Sequence, residues 1–398
     1  MNSQSPSPLH VGRPNIGNRE AFLERVNEML DSKWFSNDGP FVREFEAAVA
    51  TFLGVKHCIA VCNATIGLGI AAQALKLTGE VILPSYTFIA SAHALQLQGI
   101  TPIFVDIDPC THNLDPAKLE KLITRKTSAI LGVHLWGRPC NVEEIATIAA
   151  RHNIPTMYDA AHAFGCSYRG TRVGGNGACE VFSFHATKFL NSFEGGAITT
   201  NDDALADRMR LLRNFGFSGL DTVTALGTNA KMPEVCAAMG ITSLEAISDL
   251  IEINKQNYHA YDTAMSSLHG CSLVEYDKTQ DNNYQYIVAE LCPSYFDRDK
   301  TIAKLHSKNI YARKYFWPGC HRMEPYKSTC PDAAQRLSHT ELISERVIVL
   351  PTGQATTNAD IDRVCQILKS CQRRTTLSQQ TDTAQVQHPQ TTLAKRDT

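Results

Sequence analysis

The sequence predicts an α/β fold: a mostly parallel seven-stranded sheet flanked by helices, followed by a smaller C-terminal α+β domain. Between residues 57 and 200, seven short apolar, β-branched runs alternate with segments of helical periodicity. Continuous apolar strands separated by helices are typical of a parallel sheet that is covered on both faces. Ligands bind such sheets beyond the carboxyl ends of the strands, so chemistry is expected at that edge.

The elements are predicted in order along the chain. The seven strands are predicted at residues 58–62, 80–83, 102–106, 129–134, 155–159, 180–184 and 196–200. Helices are predicted before and between them at residues 18–31, 41–53, 66–75, 90–97, 116–122 and 142–151. Two long helices are predicted at residues 204–215 and 232–254, and the second is expected to lead into another domain.

Three regions are predicted from these patterns. Residues 1–254 form the large domain, and residues 255–371 form the small one, with strands at 284–291 and 347–350 and helices at 298–307 and 358–370. From residue 372 to 398 the composition shifts to Gln, Thr and Ser, with almost nothing to bury, so a disordered tail is predicted.

The overall composition excludes several classes of protein. The formal net charge of −2 provides no field for binding nucleic acid or an anionic membrane surface. No run of eighteen apolar residues predicts a membrane span, and the first residues do not resemble a signal peptide. The thirteen cysteines lack C-x-x-C pairs, so buried, reduced thiols in a cytoplasmic protein are expected and a metal site is not.

The first candidate for chemistry is the segment Ser183-Phe-His-Ala-Thr-Lys188, which follows a predicted strand. A lysine just beyond a strand end can project into the ligand cleft, where burial lowers its pKa and frees an amine that attacks carbonyl carbons. Ser183 can offer a hydroxyl to a phosphate, and Gly195 and Gly196 permit close backbone approach. The alternative is an ordinary surface lysine in a loop.

The second candidate is the segment Met157-Tyr-Asp-Ala-Ala-His162, in which Asp159 ends a strand. A carboxylate there is either a helix N-cap or a functional charge. An aspartate that keeps a pyridine nitrogen protonated is what pyridoxal phosphate requires. His162 would then lie near the phenolic oxygen of the ring, although a lone histidine is more often structural.

Two further segments begin at strand ends. In Cys62-Asn-Ala-Thr65, a turn leads into a helix whose first amides favour a phosphate, although Asn63 or Thr65 can also act as a simple cap. In Leu83-Pro-Ser-Tyr-Thr-Phe88, an aromatic ring after a strand can stack on a flat heterocycle or belong to the core. Together the four segments supply a phosphate cradle, a stacking ring, an acid and an amine.

These segments resemble those of the DegT/DnrJ/EryC1/StrS sugar aminotransferases, which have the type I fold of pyridoxal-phosphate enzymes. The resemblance extends over about residues 34–370. It rests on motifs in family order and spacing: Gly39-Pro40 with Phe45-Glu46, Pro84-Ser-Tyr-Thr-Phe88, Asp159-Ala-Ala-His162, Ser183-Phe-His-Ala-Thr-Lys188 and Glu194-Gly-Gly196. Ala64 and Lys231 depart from the glycine and arginine of many members.

The resemblance implies pyridoxal 5′-phosphate held as a Schiff base by Lys188, with Asp159 on the pyridine nitrogen and pyridoxamine phosphate as the intermediate form. It implies further cofactor contacts from the ring of Phe88, from His162, and from the phosphate ligands Thr65, the amide of Ile66, and Ser183. Asn229 is expected to reach the phosphate in the neighbouring subunit, which implies a homodimer with shared active sites. The residues expected to bind substrate are Ser36, Trp136, Tyr315 and His321.

The implied activity moves an amino group from L-glutamate to a nucleoside-diphosphate keto sugar. The expected acceptor is C4 of a dTDP-4-keto-6-deoxy-D-glucose type of sugar, giving dTDP-4-amino-4,6-dideoxyglucose. Amination at C3 is the nearest alternative. A pyridoxal-phosphate sugar dehydratase and a non-catalytic, cofactor-binding regulatory protein are the others.

Overall fold

The computed structural model describes residues 7–373 and contains the predicted seven-stranded sheet. Its strands lie in the order His57–Val61, Gly196–Thr200, Cys179–Ser183, Thr156–Asp159, Thr127–Val133, Glu80–Pro84 and Thr101–Val105. Gly196–Thr200 is antiparallel to both of its neighbours, and the other pairs are parallel. All seven predicted strands and the mostly parallel arrangement are therefore confirmed.

The sheet is buried on both faces, as its apolar strands predict. Ile59 and Val61 pack in one core cluster with Val181. Between them in sequence, Ala60 packs in a different cluster with Phe182. Because successive side chains of a strand point to opposite faces, one strand contributes to two cores.

Helices cover both faces close to their predicted positions: Arg19–Ser32, Pro40–Leu53, Ala64–Ala74, Ala90–Gln96, Val142–Arg151 and Asp203–Arg213. The helix predicted at residues 116–122 is wrong, because the chain forms two 3₁₀ turns, Pro116–Lys118 and Glu120–Leu122. Only Leu119, between the two turns, is fully buried there. One anchoring side chain does not provide the apolar stripe that stabilises an α-helix of two turns.

The single helix predicted at residues 232–254 is also wrong in extent. Two helices, Glu234–Glu245 and Ile247–Met265, meet at Ala246, whose φ of −91° and ψ of 5° leave the helical region. The first helix buries residues on all sides, whereas the second buries one stripe that includes Leu250, Tyr258 and Tyr261. The break lets each helix pack against a different set of partners.

A second, antiparallel sheet consists of Cys271–Leu273, Ile287–Leu291 and Val347–Leu350. Helices Arg298–His306 and Asn358–Cys371 pack near it, and the short strand Leu9–His10 pairs with Ile310–Tyr311. The remaining short elements are Ser167–Tyr168, Thr171–Arg172, Leu135–Gly137, Cys320–Arg322, Tyr326–Thr329, Ala333–Arg336 and Ser338–Ser344. The predicted domain boundaries stay a prediction, and residues 374–398 of the predicted tail lie outside the described residues.

The described residues bear on two expectations about composition. All thirteen cysteines of the chain lie within residues 7–373, where none forms a disulfide. Seven of them are buried, five are partly buried and Cys110 is exposed, so the expectation of buried thiols holds only in part. No helix of this part of the chain has the length and apolar character that crossing a membrane requires.

Candidate active site

A cavity of about 660 Å³ opens at the carboxyl ends of the parallel strands. Eight of the twelve site residues predicted from the sequence line this cavity: Thr65, Ile66, Phe88, Asp159, His162, Ser183, Tyr315 and Lys188. The lysine and the aspartate therefore face one common space with no layer of core between them. A second cleft, of about 620 Å³ beside Arg138 and Asp277, contains none of these residues.

Lys188 lies in the turn that follows strand Cys179–Ser183, where its amide donates to the carbonyl of His185 at 2.8 Å. Its Nζ donates to the hydroxyl of Tyr286 at 3.2 Å. Burial lowers the pKa of Lys188 to about 8, and the charges of Asp159 and Tyr315 oppose that shift only in part. A fraction of the amine is therefore unprotonated near neutral pH, as a nucleophile or base requires.

Asp159 ends strand Thr156–Asp159 and is only 7% exposed. Each of its carboxylate oxygens accepts one hydrogen bond: Oδ2 from Ser91 Oγ at 2.7 Å, and Oδ1 from the amide of Ala161 at 3.1 Å. Donors on both oxygens fix the direction of the carboxylate.

His162 is a neutral imidazole of defined orientation. Burial lowers the pKa of His162 well below its ordinary value, and the charge of Lys188 lowers it further. The amide of Trp136 donates to its Nδ1 at 3.3 Å, so the remaining proton is on Nε2. The ring stacks on Phe316, with centroids 5.9 Å apart.

The start of helix Ala64–Ala74 lies at another side of the cavity. Asn63 is its N-cap, and its Oδ1 accepts from the amide of Ile66 at 2.9 Å. The prediction that this Ile66 amide is available to a phosphate is therefore corrected, because the cap side chain already holds it. Within the described residues no acceptor is found for the amides of Ala64 and Thr65, which are the donors left at this helix end.

Gly196 and Ser183 complete this end of the cavity. A Cβ on Gly196 would lie 2.7 Å from the amide nitrogen of Ala64 and 2.8 Å from the carbonyl oxygen of Phe182, so only glycine permits this approach. Ser183 Oγ accepts from the amide of His185 at 3.4 Å, which leaves its own proton for donation.

Four predicted residues do not line the cavity, and two of them require correction. Trp136 is fully buried and stacks behind His162, with its Nε1 donating to His112, so it supports the site rather than contacting a ligand. His321 is also buried, between Ser85 Oγ at 2.7 Å and Glu341. The reason is the same for both: packing against neighbouring elements turns these side chains away from the cavity.

The other two residues lie farther out on the chain. Ser36 is in the loop between helices Arg19–Ser32 and Pro40–Leu53. Asn229 is exposed and forms an isolated β-bridge with Asn214. Contacts of Ser36 with substrate and of Asn229 with a neighbouring subunit stay predictions.

The sequence reasoning missed several residues of the site. Tyr286 and Arg313 line the cavity, and Ser91 is the donor to Asp159. Ser91 could have been identified from the sequence, because it lies one helical turn after the Pro84–Phe88 motif. Tyr286 and Arg313 come from the region of the second sheet, 98 and 125 residues beyond Lys188, and no periodicity relates them to it. Within residues 7–373, no three His, Cys, Asp or Glu side chains cluster as a metal site would need.

Comparisons with known proteins agree with this geometry. The chain is 37% identical over 346 residues to dTDP-4-amino-4,6-dideoxy-D-glucose transaminase of Escherichia coli, covering 86% of this chain and 93% of the relative. It is 37% identical over 369 residues to GDP-perosamine synthase of Caulobacter vibrioides, covering 90% of this chain and 97% of that protein. The crystal structure of DesI in the presence of its TDP-sugar product superposes with a TM-score of 0.87 at 47% identity, covering 92% and 93% of the two chains.

The match extends to the family as a whole. A family model covers residues 17–369, which include every element that contributes to the cavity. The solved structure of Helicobacter pylori PseC, an aminotransferase of pseudoaminic acid biosynthesis, superposes with a TM-score of 0.85 at 25% identity, covering 92% of this chain and 99% of PseC. The chain belongs to the DegT/DnrJ/EryC1/StrS aminotransferase family.

Proposed function

We propose that this chain uses pyridoxal 5′-phosphate to move an amino group from L-glutamate to C4 of a dTDP-4-keto-6-deoxy-D-glucose type of sugar. The observation that carries the proposal is the pairing, in one cavity, of a lysine amine of lowered pKa with an oriented carboxylate. Family membership and the names of the relatives support the reaction class and the sugar.

The residues present fit pyridoxal phosphate. Lys188 offers an amine to the aldehyde, and Asp159 offers a carboxylate to the ring nitrogen. The free amides at the start of helix Ala64–Ala74, together with the Ser183 hydroxyl, suit a phosphate. Phe88 lines the cavity and is 56% exposed, so an aromatic face is available to a flat ring.

Lys188, Asp159 and His162 each have a different role in the proposed reaction. When bound, pyridoxal phosphate supplies a ring that withdraws electrons from the substrate carbon. Lys188 Nζ would take the proton from the carbon that carries the donor's amino group and, in the second half of the reaction, would give a proton to the sugar carbon that receives that group; a pKa of about 8 suits both transfers. Asp159, oriented by Ser91, would face the ring nitrogen, and the neutral His162 would donate from Nε2.

The cavity also suits anionic substrates. Arg313 lines it, and its guanidinium lies 4.8 Å from the centroid of the Tyr315 ring. Among the described residues Arg313 forms no ion pair with a carboxylate, so its charge is available to a carboxylate or diphosphate. Both proposed substrates, glutamate and a nucleotide-linked sugar, carry such groups.

GDP-linked sugars are a second candidate, favoured by the GDP-perosamine synthases, which are 37% and 33% identical to this chain. These relatives share the proposed chemistry and differ in the nucleotide. Amination at C3, dehydration of the sugar and cofactor binding without turnover are the other outcomes that an experiment must separate.

A homodimer with shared active sites is part of the proposal. The segment 215–226 carries five exposed apolar side chains, with Leu220 at 96% and Leu226 at 85% exposure: Phe215, Phe217, Leu220, Val223 and Leu226. Asn229 follows this segment directly. Exposed apolar groups at this density favour contact with another protein surface, and Asn229 would enter the partner's site there.

The test separates the two halves of the reaction. Purified protein with pyridoxal phosphate is mixed with L-glutamate, and 2-oxoglutarate is measured against a Lys188→Ala control. A panel of 3-keto and 4-keto sugars linked to dTDP or GDP follows, and NMR locates the new amine. The proposal expects stoichiometric 2-oxoglutarate and an amine at C4 of the dTDP sugar.

Each alternative product of this assay would indicate a different activity. A GDP product moves the assignment to the second candidate, and an amine at C3 overturns the proposed regiochemistry. Ammonia or a deoxygenated sugar without 2-oxoglutarate indicates a lyase or dehydratase. Wild-type turnover by Lys188→Ala contradicts the role of the lysine.

A further inference from the structure

Tyr286 lines the cavity but takes no direct part in the proposed reaction. It directly precedes strand Ile287–Leu291 of the second sheet, yet its side chain reaches the cavity formed by the first. Its hydroxyl accepts from Lys188 Nζ at 3.2 Å, and Nζ lies 5.9 Å from the centroid of its ring. Lys188 and Tyr286 are therefore in direct contact although they come from different sheets.

The tyrosine is held firmly by its surroundings. Its ring lies 4.5 Å from the ring of His162 and 5.4 Å from that of Trp136. The hydroxyl of Tyr276 accepts from the Tyr286 amide at 3.4 Å and donates to its carbonyl at 3.0 Å. Because ring and backbone are both fixed, the hydroxyl occupies one position relative to the lysine.

A second contact joins the same two segments. The amide of Phe189, next to Lys188 in sequence, donates to Oε1 of Gln285 at 3.5 Å.

Burial raises the pKa of Tyr286 far above neutral, so its hydroxyl keeps its proton while an oxygen lone pair accepts from the lysine. The contact is thus an acceptor site for the amine across the working pH range.

We propose that Tyr286 is a positioning residue whose hydroxyl holds the amine of Lys188 in the cavity whenever that amine is not covalently engaged. A lysine side chain has four rotatable bonds and reaches many positions, so an amine that must move a proton between two fixed atoms benefits from a fixed resting place. The inference rests on the proposed function for its consequence in turnover, but the contact itself exists without cofactor.

The test begins with cofactor-free protein. Wild type and Tyr286→Phe are treated with acetic anhydride at a series of pH values, and acetylation of Lys188 is quantified by mass spectrometry. Removing the acceptor destabilises the protonated amine, so the midpoint for Tyr286→Phe is expected about one pH unit below that of wild type. Tyr258→Phe is the matched control, since its hydroxyl donates to the Val274 carbonyl at 3.4 Å, and its midpoint is expected to equal that of wild type.

A second variant separates the hydroxyl from the ring. Tyr286→Gln supplies an oxygen acceptor without an aromatic ring, so its midpoint is expected to return toward that of wild type. A Gln midpoint equal to that of Tyr286→Phe overturns the inference, as does a Tyr286→Phe midpoint equal to that of wild type. Circular dichroism establishes that each variant is folded before it is labelled.

Turnover gives an independent measurement. With pyridoxal phosphate bound, Tyr286→Phe is expected to lower kcat about tenfold and to change KM for glutamate less than about twofold. An unchanged kcat overturns the positioning role. If wild type does not consume glutamate at all, the proposed function fails, while the labelling midpoints still decide whether the contact exists.

Discussion

Asp159 shows how one residue of the site depends on a neighbour that sequence reasoning did not identify. Its Oδ2 accepts from Ser91 Oγ at 2.7 Å, and Ser91 is fully buried in helix Ala90–Gln96. A hydrogen bond to a buried carboxylate is stronger than one between neutral groups. The direction of the carboxylate, and thus its reach toward a ring nitrogen, depends on this serine.

Ser91→Ala is expected to weaken binding of pyridoxal phosphate about tenfold, because a charge-assisted hydrogen bond contributes about 1.5–3 kcal/mol. Spectrophotometric titration of cofactor-free protein measures the dissociation constant. Ser243→Ala is the control, since this buried hydroxyl donates to the Asn191 carbonyl at 2.7 Å and touches no carboxylate. Equal affinity of Ser91→Ala and wild type would contradict the role of Ser91.

In the cofactor-free protein, the buried charge of Lys188 is expected to lower the free energy of unfolding. Its pKa in the folded state is about 8, below the ordinary 10.5, so the penalty for holding the ammonium is full below pH 8 and fades as pH rises toward 10.5. Lys188→Met is therefore expected to raise the free energy of unfolding by about 1–3 kcal/mol at pH 6.5, after allowance for water in the cavity.

Denaturant unfolding of both cofactor-free proteins at pH 6.5 and pH 10.5 measures this difference. The gain from Lys188→Met is expected to be largely lost at the higher pH, where the unfolded lysine is also deprotonating. A gain of the same size at both values would mean that packing, and not the charge of Lys188, is responsible.

At the scale of elements, strand Gly196–Thr200 and helix Ala64–Ala74 approach each other unusually closely. Their contact point is Gly196 against the Asn63–Ala64 backbone. The helix start carries the free amides proposed to bind phosphate, so this packing sets where a phosphate can sit. Both partners at the contact are backbone, which has little room to move.

Gly196→Ala is expected to lower the free energy of unfolding by about 1–3 kcal/mol, because its Cβ would lie 2.7 Å from the Ala64 nitrogen. It is also expected to weaken cofactor affinity more than tenfold through the shifted helix start. Gly99→Ala is the control, since a Cβ there meets no atom within 4 Å and its φ of +73° makes alanine costly for stability at a position that does not line the cavity. Wild-type affinity in Gly196→Ala would separate the close approach from phosphate binding.

At the scale of the whole molecule, the proposed shared sites require two copies of the chain. Asn229 is exposed and does not line the cavity of its own chain, while Lys188 does. If each site takes Lys188 from one subunit and Asn229 from the other, two inactive variants can complement each other. The apolar segment 215–226 provides the expected contact surface.

Lys188→Ala and Asn229→Asp are each expected to have little activity, the second because a carboxylate repels the phosphate. Co-expressed in equal amounts, they are expected to recover about a quarter of wild-type activity, since half of the dimers are mixed and one site in each is intact. Each variant carries a different affinity tag, and two successive affinity purifications isolate the mixed dimer for measurement. No recovery in a verified mixed dimer would place Asn229 outside the partner's site.

The seven strands, and the placement of Asp159 and Lys188 at strand ends, could be predicted from the amino-acid sequence alone. Periods of apolar residues are local, and a parallel sheet places its ligand edge at the carboxyl ends of the strands. The sequence-based prediction was wrong where tertiary packing decides the local backbone conformation, as in the 3₁₀ turns at 116–122 and the break at Ala246. There the local pattern allows a helix, and tertiary contacts select something else.

The set of side chains that share the cavity depends on how the folded chain packs and could not be predicted from the sequence. Tyr286 and Arg313 join Lys188 from a second sheet, whereas Trp136 and His321 turn into the core. Motif spacing places a residue on an element but does not specify the face it presents or the distant segment that packs on it. Those depend on contacts between residues far apart in sequence, which form only when the whole chain has folded.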